Sequence, residues 1–131
     1  MLEKRALQVA VALGCLVPIG GGARGIWLGP QMAGATGPAD LDSHFRYLSG
    51  LLLGIGLAYL TAVPRIEQHG LRFRILTAIV VVGGLVRLAS LVAVGTPSLS
   101  MTAALAMELI VTPALALWQH RIARRGAALS P

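Results

Sequence analysis

The strongest constraint in this 131-residue sequence is the arrangement of its apolar residues, which fall into four long blocks separated by short polar or Gly/Pro-rich breaks. The blocks run from Leu7 to Leu28, Leu48 to Val63, Ile75 to Val94 and Met101 to Trp118. Each approaches the ~20 residues that carry a helix across about 30 Å of hydrocarbon. Transmembrane β-strands would alternate apolar and polar residues, whereas stretches such as Leu76 to Gly84 are apolar on every side. Lipid offers a backbone no hydrogen bonds, and a helix is the structure that satisfies its own. Hydrophobic residues make up 56% of the chain, more than a water-soluble core of this size needs, so the surplus must face lipid.

The expected fold is all-α: an integral membrane four-helix bundle, up-down-up-down, forming one transmembrane domain over residues 1–131 with spans at about 7–28, 44–63, 75–94 and 98–118. Its orientation follows from the basic residues. Lys4 and Arg5 precede the first block, Arg65, Arg72 and Arg74 lie between the second and third, and Arg121, Arg124 and Arg125 follow the fourth. The positive-inside rule makes these regions, and both termini, cytoplasmic. The opposite loops agree: Gly29 to Arg46 sets Asp40 and Asp42 against Arg46, and Gly95 to Ser100 carries no charge. The formal net charge of +6 would also suit a nucleic-acid binder, but these basic residues flank apolar blocks without an aromatic platform or recognition helix. Membrane lipids, not nucleic acid, are the expected partners.

The first block has a second reading. Lys4, Arg5 and the run Leu7 to Gly14 before Cys15 resemble a lipoprotein-type signal peptide. Ala12 and Leu13 fit such a cleavage site poorly, and removing the segment would leave an odd number of spans with basic loops on the wrong side. The block is therefore read as a span. Cys15, the single cysteine, has no internal partner for a disulfide and reads as a small packing residue.

Local signals fill in the rest. Pro18 and Gly20-Gly21-Gly22 make the first span the least regular, either kinked or packed closely against a neighbour. Asp42 or Ser43 can cap the second helix, which stops at Pro64. Gly50 and Gly54 form a GxxxG pair, and with Gly83 and Gly84 they are the expected helix-packing glycines. Thr96-Pro97 reads as cap and first turn of the fourth helix, so the turn before it is tight and the third and fourth helices are antiparallel neighbours. Both hairpins carry a Gly pair before an arginine, Gly21-Gly22 before Arg24 and Gly83-Gly84 before Arg87, which is too slight to establish a duplication.

Two polar constellations stand out. Arg87 and Glu108 fall at similar depth near the middle of adjacent antiparallel helices, where an unpaired charge costs several kcal/mol, so the expectation is an ion pair between them. Thr112-Pro113, one turn below Glu108, should break the hydrogen-bond ladder and kink the helix. The second is an outer cluster of Asp40, Asp42, His44 and Arg46 with Arg24, in which Asp42, Arg46 and Arg24 could form a salt-bridge network. Two carboxylates and a histidine within five residues lack the spacing of a zinc motif, so no metal site is expected.

The run Leu41-Asp42-Ser43-His44-Phe45-Arg46-Tyr47-Leu48-Ser49-Gly50 resembles an uncharacterised bacterial membrane family, the domain of unknown function numbered 4345. Pro64-Arg65-Ile66-Glu67, Gly-Gly-Leu-Val-Arg87 and Met-Glu108-Leu resemble it too, and the likeness covers about Leu7 to Arg124. It implies a four-helix protein of the bacterial inner membrane and supplies no activity. The general plan is also similar to small DoxX-like membrane proteins, some linked to quinone or thiol redox systems, but Cys15 offers no dithiol.

Three functions remain open. Glycine faces and negligible soluble mass suit a noncatalytic packing or accessory subunit of a larger membrane complex, or a homo-oligomer. Arg87 and Glu108 suit a small proton- or ion-coupled transporter or channel. Asp42, His44 and Arg46 suit a quinone- or lipid-handling membrane enzyme that grips a head group. There is no phosphate loop, nucleophile elbow or cysteine pair, so catalysis is the minority reading and no catalytic residue or cofactor is implied. The three differ in whether Glu108 meets water: a register pair should be dry, whereas a transport site should connect to one membrane face.

Overall fold

A computed structural model describes residues 1–128 of the chain. It has four helices, each long and apolar enough to cross a membrane, and no strand among the described residues. Helix α1 spans Leu2–Leu28 and runs into a 3-10 turn at Gly29–Ala33; α2 spans Ala39–Ala62 and α3 Gly70–Val94. The fourth rod is composite: α4 (Leu99–Ala106), a π turn (Met107–Val111) and α5 (Thr112–Ala128).

These helices reach beyond the apolar blocks, because lipid thickness bounds the blocks while the backbone ladder bounds the helices. Helix α2 begins after Pro38, which presets the first turn, and Asp42 lies inside it instead of capping it. The fourth rod likewise starts after Ser98, whose carbonyl accepts the N–H groups of Met101 and Thr102 at 3.0 Å each. Thr96 and Pro97 belong to the connection. Gly95 ends α3 at φ +117°, a conformation suited to glycine, and its N–H bonds Leu91 O.

The chain divides into two compact units, Gln8–Pro64 and a second made of Met1–Leu7 with the chain from Arg65 onward. In the first, the α1–α2 hairpin closes on small residues. A Cβ at Gly22 would stand 2.6 Å from the Leu53 backbone nitrogen and 2.7 Å from Ser49 O, and one at Gly56 would stand 2.8 Å from Ile19 Cγ1. The irregular glycine run is thus an unbroken helix in backbone contact with its neighbour. Gly20, Gly50 and Gly54 face open space, so within the described chain the GxxxG pair packs against nothing. At the hairpin's far end Gln8 donates its amide to the carbonyls of Val63 (2.8 Å) and Pro64 (3.1 Å), which α2 leaves unpaired.

In the second unit the densest packing lies where Met1–Leu7, the 65–69 connection and α5 meet. Leu7, Ile66, Phe73 and Gln119 are almost wholly buried there. Gln119 Nε2 donates to Ile66 O at 2.8 Å. Lys4 pairs with Glu67 at 2.9 Å, and Glu3 accepts from Trp118 Nε1 (3.3 Å) and from Arg125 (2.7 Å). Elsewhere the apolar side chains face outward: Val82, Val86, Ile110 and Leu117 are each at least 60% exposed, while the polar Ser49 and Gln119 are buried. A water-soluble protein has the opposite distribution, and lipid is the solvent that fits this one.

Two expectations follow. Replacing Gly22 with leucine should destabilise the α1–α2 hairpin by about 1–3 kcal/mol, while the same change at Gly50 should stay within about 0.5 kcal/mol, read as thermal unfolding in detergent. The second concerns Glu67 in the connection. Burial pushes its carboxyl up, with Oε2 enclosed and unpartnered among the described residues, but the Lys4 hydrogen bond, a backbone N–H and the charges of Lys4 and His69 outweigh burial and hold it below the usual carboxylate range. A folded value below the unfolded one means that this contribution is complete above the unfolded value, ~4.3, and disappears as pH falls through the folded one. Lys4→Met should therefore flatten the acid limb of the stability–pH curve below the unfolded carboxylate value, ~4.3.

Candidate functional site

Arg87 and Glu108 meet where α3 crosses the π turn. Arg87 Nε donates to Glu108 Oε2 at 3.0 Å and Nη2 to Oε1 at 3.2 Å, a two-pronged pairing that satisfies both carboxylate oxygens. Gly84, one turn earlier on the same face, makes the approach possible: a Cβ there would stand 2.7 Å from Leu109 Cδ2 and 3.0 Å from Glu108 Cβ. Its neighbour Gly83 faces open space, so only Gly84 of that pair packs.

The irregularity attached to Pro113 does not fall at Thr112–Pro113 as a break. Pro113 lacks the N–H that would bond the Leu109 carbonyl, and the ladder widens one turn earlier instead. Thr112 donates its backbone N–H to Met107 O, five residues back, and its hydroxyl reaches the same oxygen at 2.8 Å. Glu108 consequently sits on a π turn, which re-aims the side chains around it.

The pair is not sealed. Arg87 is 33% exposed and Glu108 17%. The third arm of the guanidinium, Nη1, donates to Met101 Sδ at 3.1 Å. A cleft of about 410 Å³ runs from Arg87 past Ser90 and Met101 to Thr96 in the α3–α4 connection, with Leu91 and Val94 among its apolar walls. Met101, Ser90 and Thr96 thus join the candidate site. The sequence alone gave no sign of Met101, because a thioether in an apolar block carries no charge or spacing that marks it.

The other cluster is divided. Asp42 and Arg46, one helical turn apart on α2, pair through Nε–Oδ2 (2.8 Å) and Nη2–Oδ1 (3.1 Å). Arg46 Nη1 also donates to the carbonyls of Ile26 and, at 3.2 Å, Trp27, the last turn of α1. A cation over a helix C-terminus is placed where the macrodipole and the orphan carbonyls both favour it. Gly29, at φ +59°, turns the chain beneath this clamp, and a Cβ there would stand 2.6 Å from Asp42 Oδ1. Arg24, Asp40 and His44 are exposed and stand outside the Asp42–Arg46 pairing, so the expected three-membered network is a two-membered clamp. Among the described residues no group of three His, Cys, Asp or Glu side chains is placed to hold a metal ion.

Glu108→Ala should destabilise the second unit by stranding Arg87, toward the lower end of the ~3–5 kcal/mol typical of broken buried pairs because Arg87 is partly open. Combining it with Arg87→Met should restore much of the loss. A double-mutant cycle read by unfolding in detergent checks this, and additive losses would exclude coupling between the two residues.

No curated protein and no solved structure matches this chain. One family model matches residues 6–119, and its description is Domain of unknown function (DUF4345). That match takes in α1 from its second turn, α2, α3, the Arg87–Glu108 pair and the Asp42–Arg46 clamp, and by it the chain belongs to the DUF4345 family.

Proposed function

We propose that this multi-pass membrane protein is noncatalytic and handles a small solute or ion at the Arg87–Glu108 pair. The observation that carries this reading is the cleft: a pair serving only to fix helix register should be enclosed, and here Arg87 is one-third exposed and lines an open groove that reaches the α3–α4 connection. The positive-inside rule supports an orientation with both termini in the cytoplasm and that connection on the outer face of a bacterial inner membrane. Arg87 lines that cleft, and Glu108, held by the guanidinium, is the group that takes the proton or cation. In proteoliposomes the wild-type chain should carry a proton or cation flux that Glu108→Gln reduces at least tenfold; an unchanged flux in the variant removes Glu108 from the role.

A second reading is a noncatalytic subunit of a larger assembly, or of a homo-oligomer. Its support is the bare glycine positions, Gly50, Gly54 and Gly83, which leave backbone accessible on faces that no described residue covers. Native mass measurement in lipid nanodiscs separates it from the first: an isolated monomer that still supports flux favours the solute site, and a fixed oligomer without flux favours the subunit.

A further inference from the structure

We propose that the cleft beside Arg87 binds a small organic monoanion, a carboxylate with an apolar body. The inference rests on the reading of Arg87–Glu108 as a working site and adds the class of ligand. Among the described residues Arg87 is the one charged side chain lining the cleft. Two arms of its guanidinium are committed to Glu108, and among the described residues Nη1 meets the sulfur of Met101, a weak acceptor. A carboxylate oxygen entering the cleft replaces that sulfur with a charge-assisted hydrogen bond. Ser90, one turn beyond Arg87, and Thr96 at the mouth supply hydroxyls, each able to donate to a second oxygen. Leu91 and Val94 offer apolar walls, so the rest of the ligand is apolar. The volume, about 410 Å³, is within the range of small-molecule sites and too small for a bulky polyanion. Glu108 already shares the guanidinium that an entering anion would use, so a ligand carrying more than one negative charge is excluded from this low-dielectric surround.

Glu108 competes with such a ligand for the same guanidinium. Removing its charge should therefore strengthen anion binding, the reverse of its expected effect on flux, and this opposition separates the two proposals.

The test is equilibrium binding of isotopically labelled benzoate to the full chain in phosphatidylcholine nanodiscs and, in parallel, in discs containing phosphatidylglycerol. Wild type should bind saturably, Glu108→Gln at least tenfold more tightly, and Ser90→Phe, which fills the cleft and leaves the ion pair in place, at least tenfold more weakly. Binding that is present in phosphatidylcholine and lost in phosphatidylglycerol supports the same oxyanion site with a lipid head group as its natural occupant. No saturable binding by the folded wild type in either lipid overturns the proposal, as does full binding by Ser90→Phe. Binding without any proton or cation flux leaves the anion site standing and removes the transport reading.

Discussion

Backbone carbonyls without a partner are the problem this chain solves repeatedly. In hydrocarbon each such group costs several kcal/mol, and every helix end, proline or widened turn creates one. Gln8 covers Val63 and Pro64, Gln119 covers Ile66, Arg46 covers Ile26 and Trp27, and Thr112 covers Met107. These four polar side chains act as donors to carbonyls at the ends and breaks of otherwise apolar rods.

Arg87 and Glu108 depart from that pattern. Neither closes a backbone gap; each pairs with a side chain, and Arg87 retains an arm facing a cleft. Gly84 lets the two helices approach closely enough for the pairing, and the π turn ahead of Pro113 carries the glutamate where they cross. A proline and a glycine, each unfavourable in a helix taken alone, flank the Arg87–Glu108 pair.

Much of this was legible in the residues. The four apolar blocks yielded four helices because block length and lipid thickness are tied by the helical rise. The Arg87–Glu108 juxtaposition followed from depth counted from a short turn, since two antiparallel helices share one ruler. The run Asp42 to Gly50 was visible as distinctive, but its meaning was not. Asp42, Arg46 and Ser49 lie on one face of α2 and fasten it to the end of α1, with Ser49 seated against Gly25, so the signature is in large part a clamp. His44, between them in sequence, points elsewhere because a helix turns 100° per residue.

The sequence by itself determined the apolar surround, the number of helices and the level along their hairpin at which Arg87 and Glu108 meet, because hydropathy, block length and turn length are local quantities. Only the tertiary structure decided which glycines are in contact, since Gly22, Gly56 and Gly84 differ from Gly50, Gly54 and Gly83 solely in what lies opposite. It also decided that Glu3, Lys4 and Glu67 tie the start of the chain to its later helices, and that Met101 and Thr96 share a cleft with Arg87. Those facts depend on distances between residues remote in the chain, and no local pattern encodes a distance across two helices.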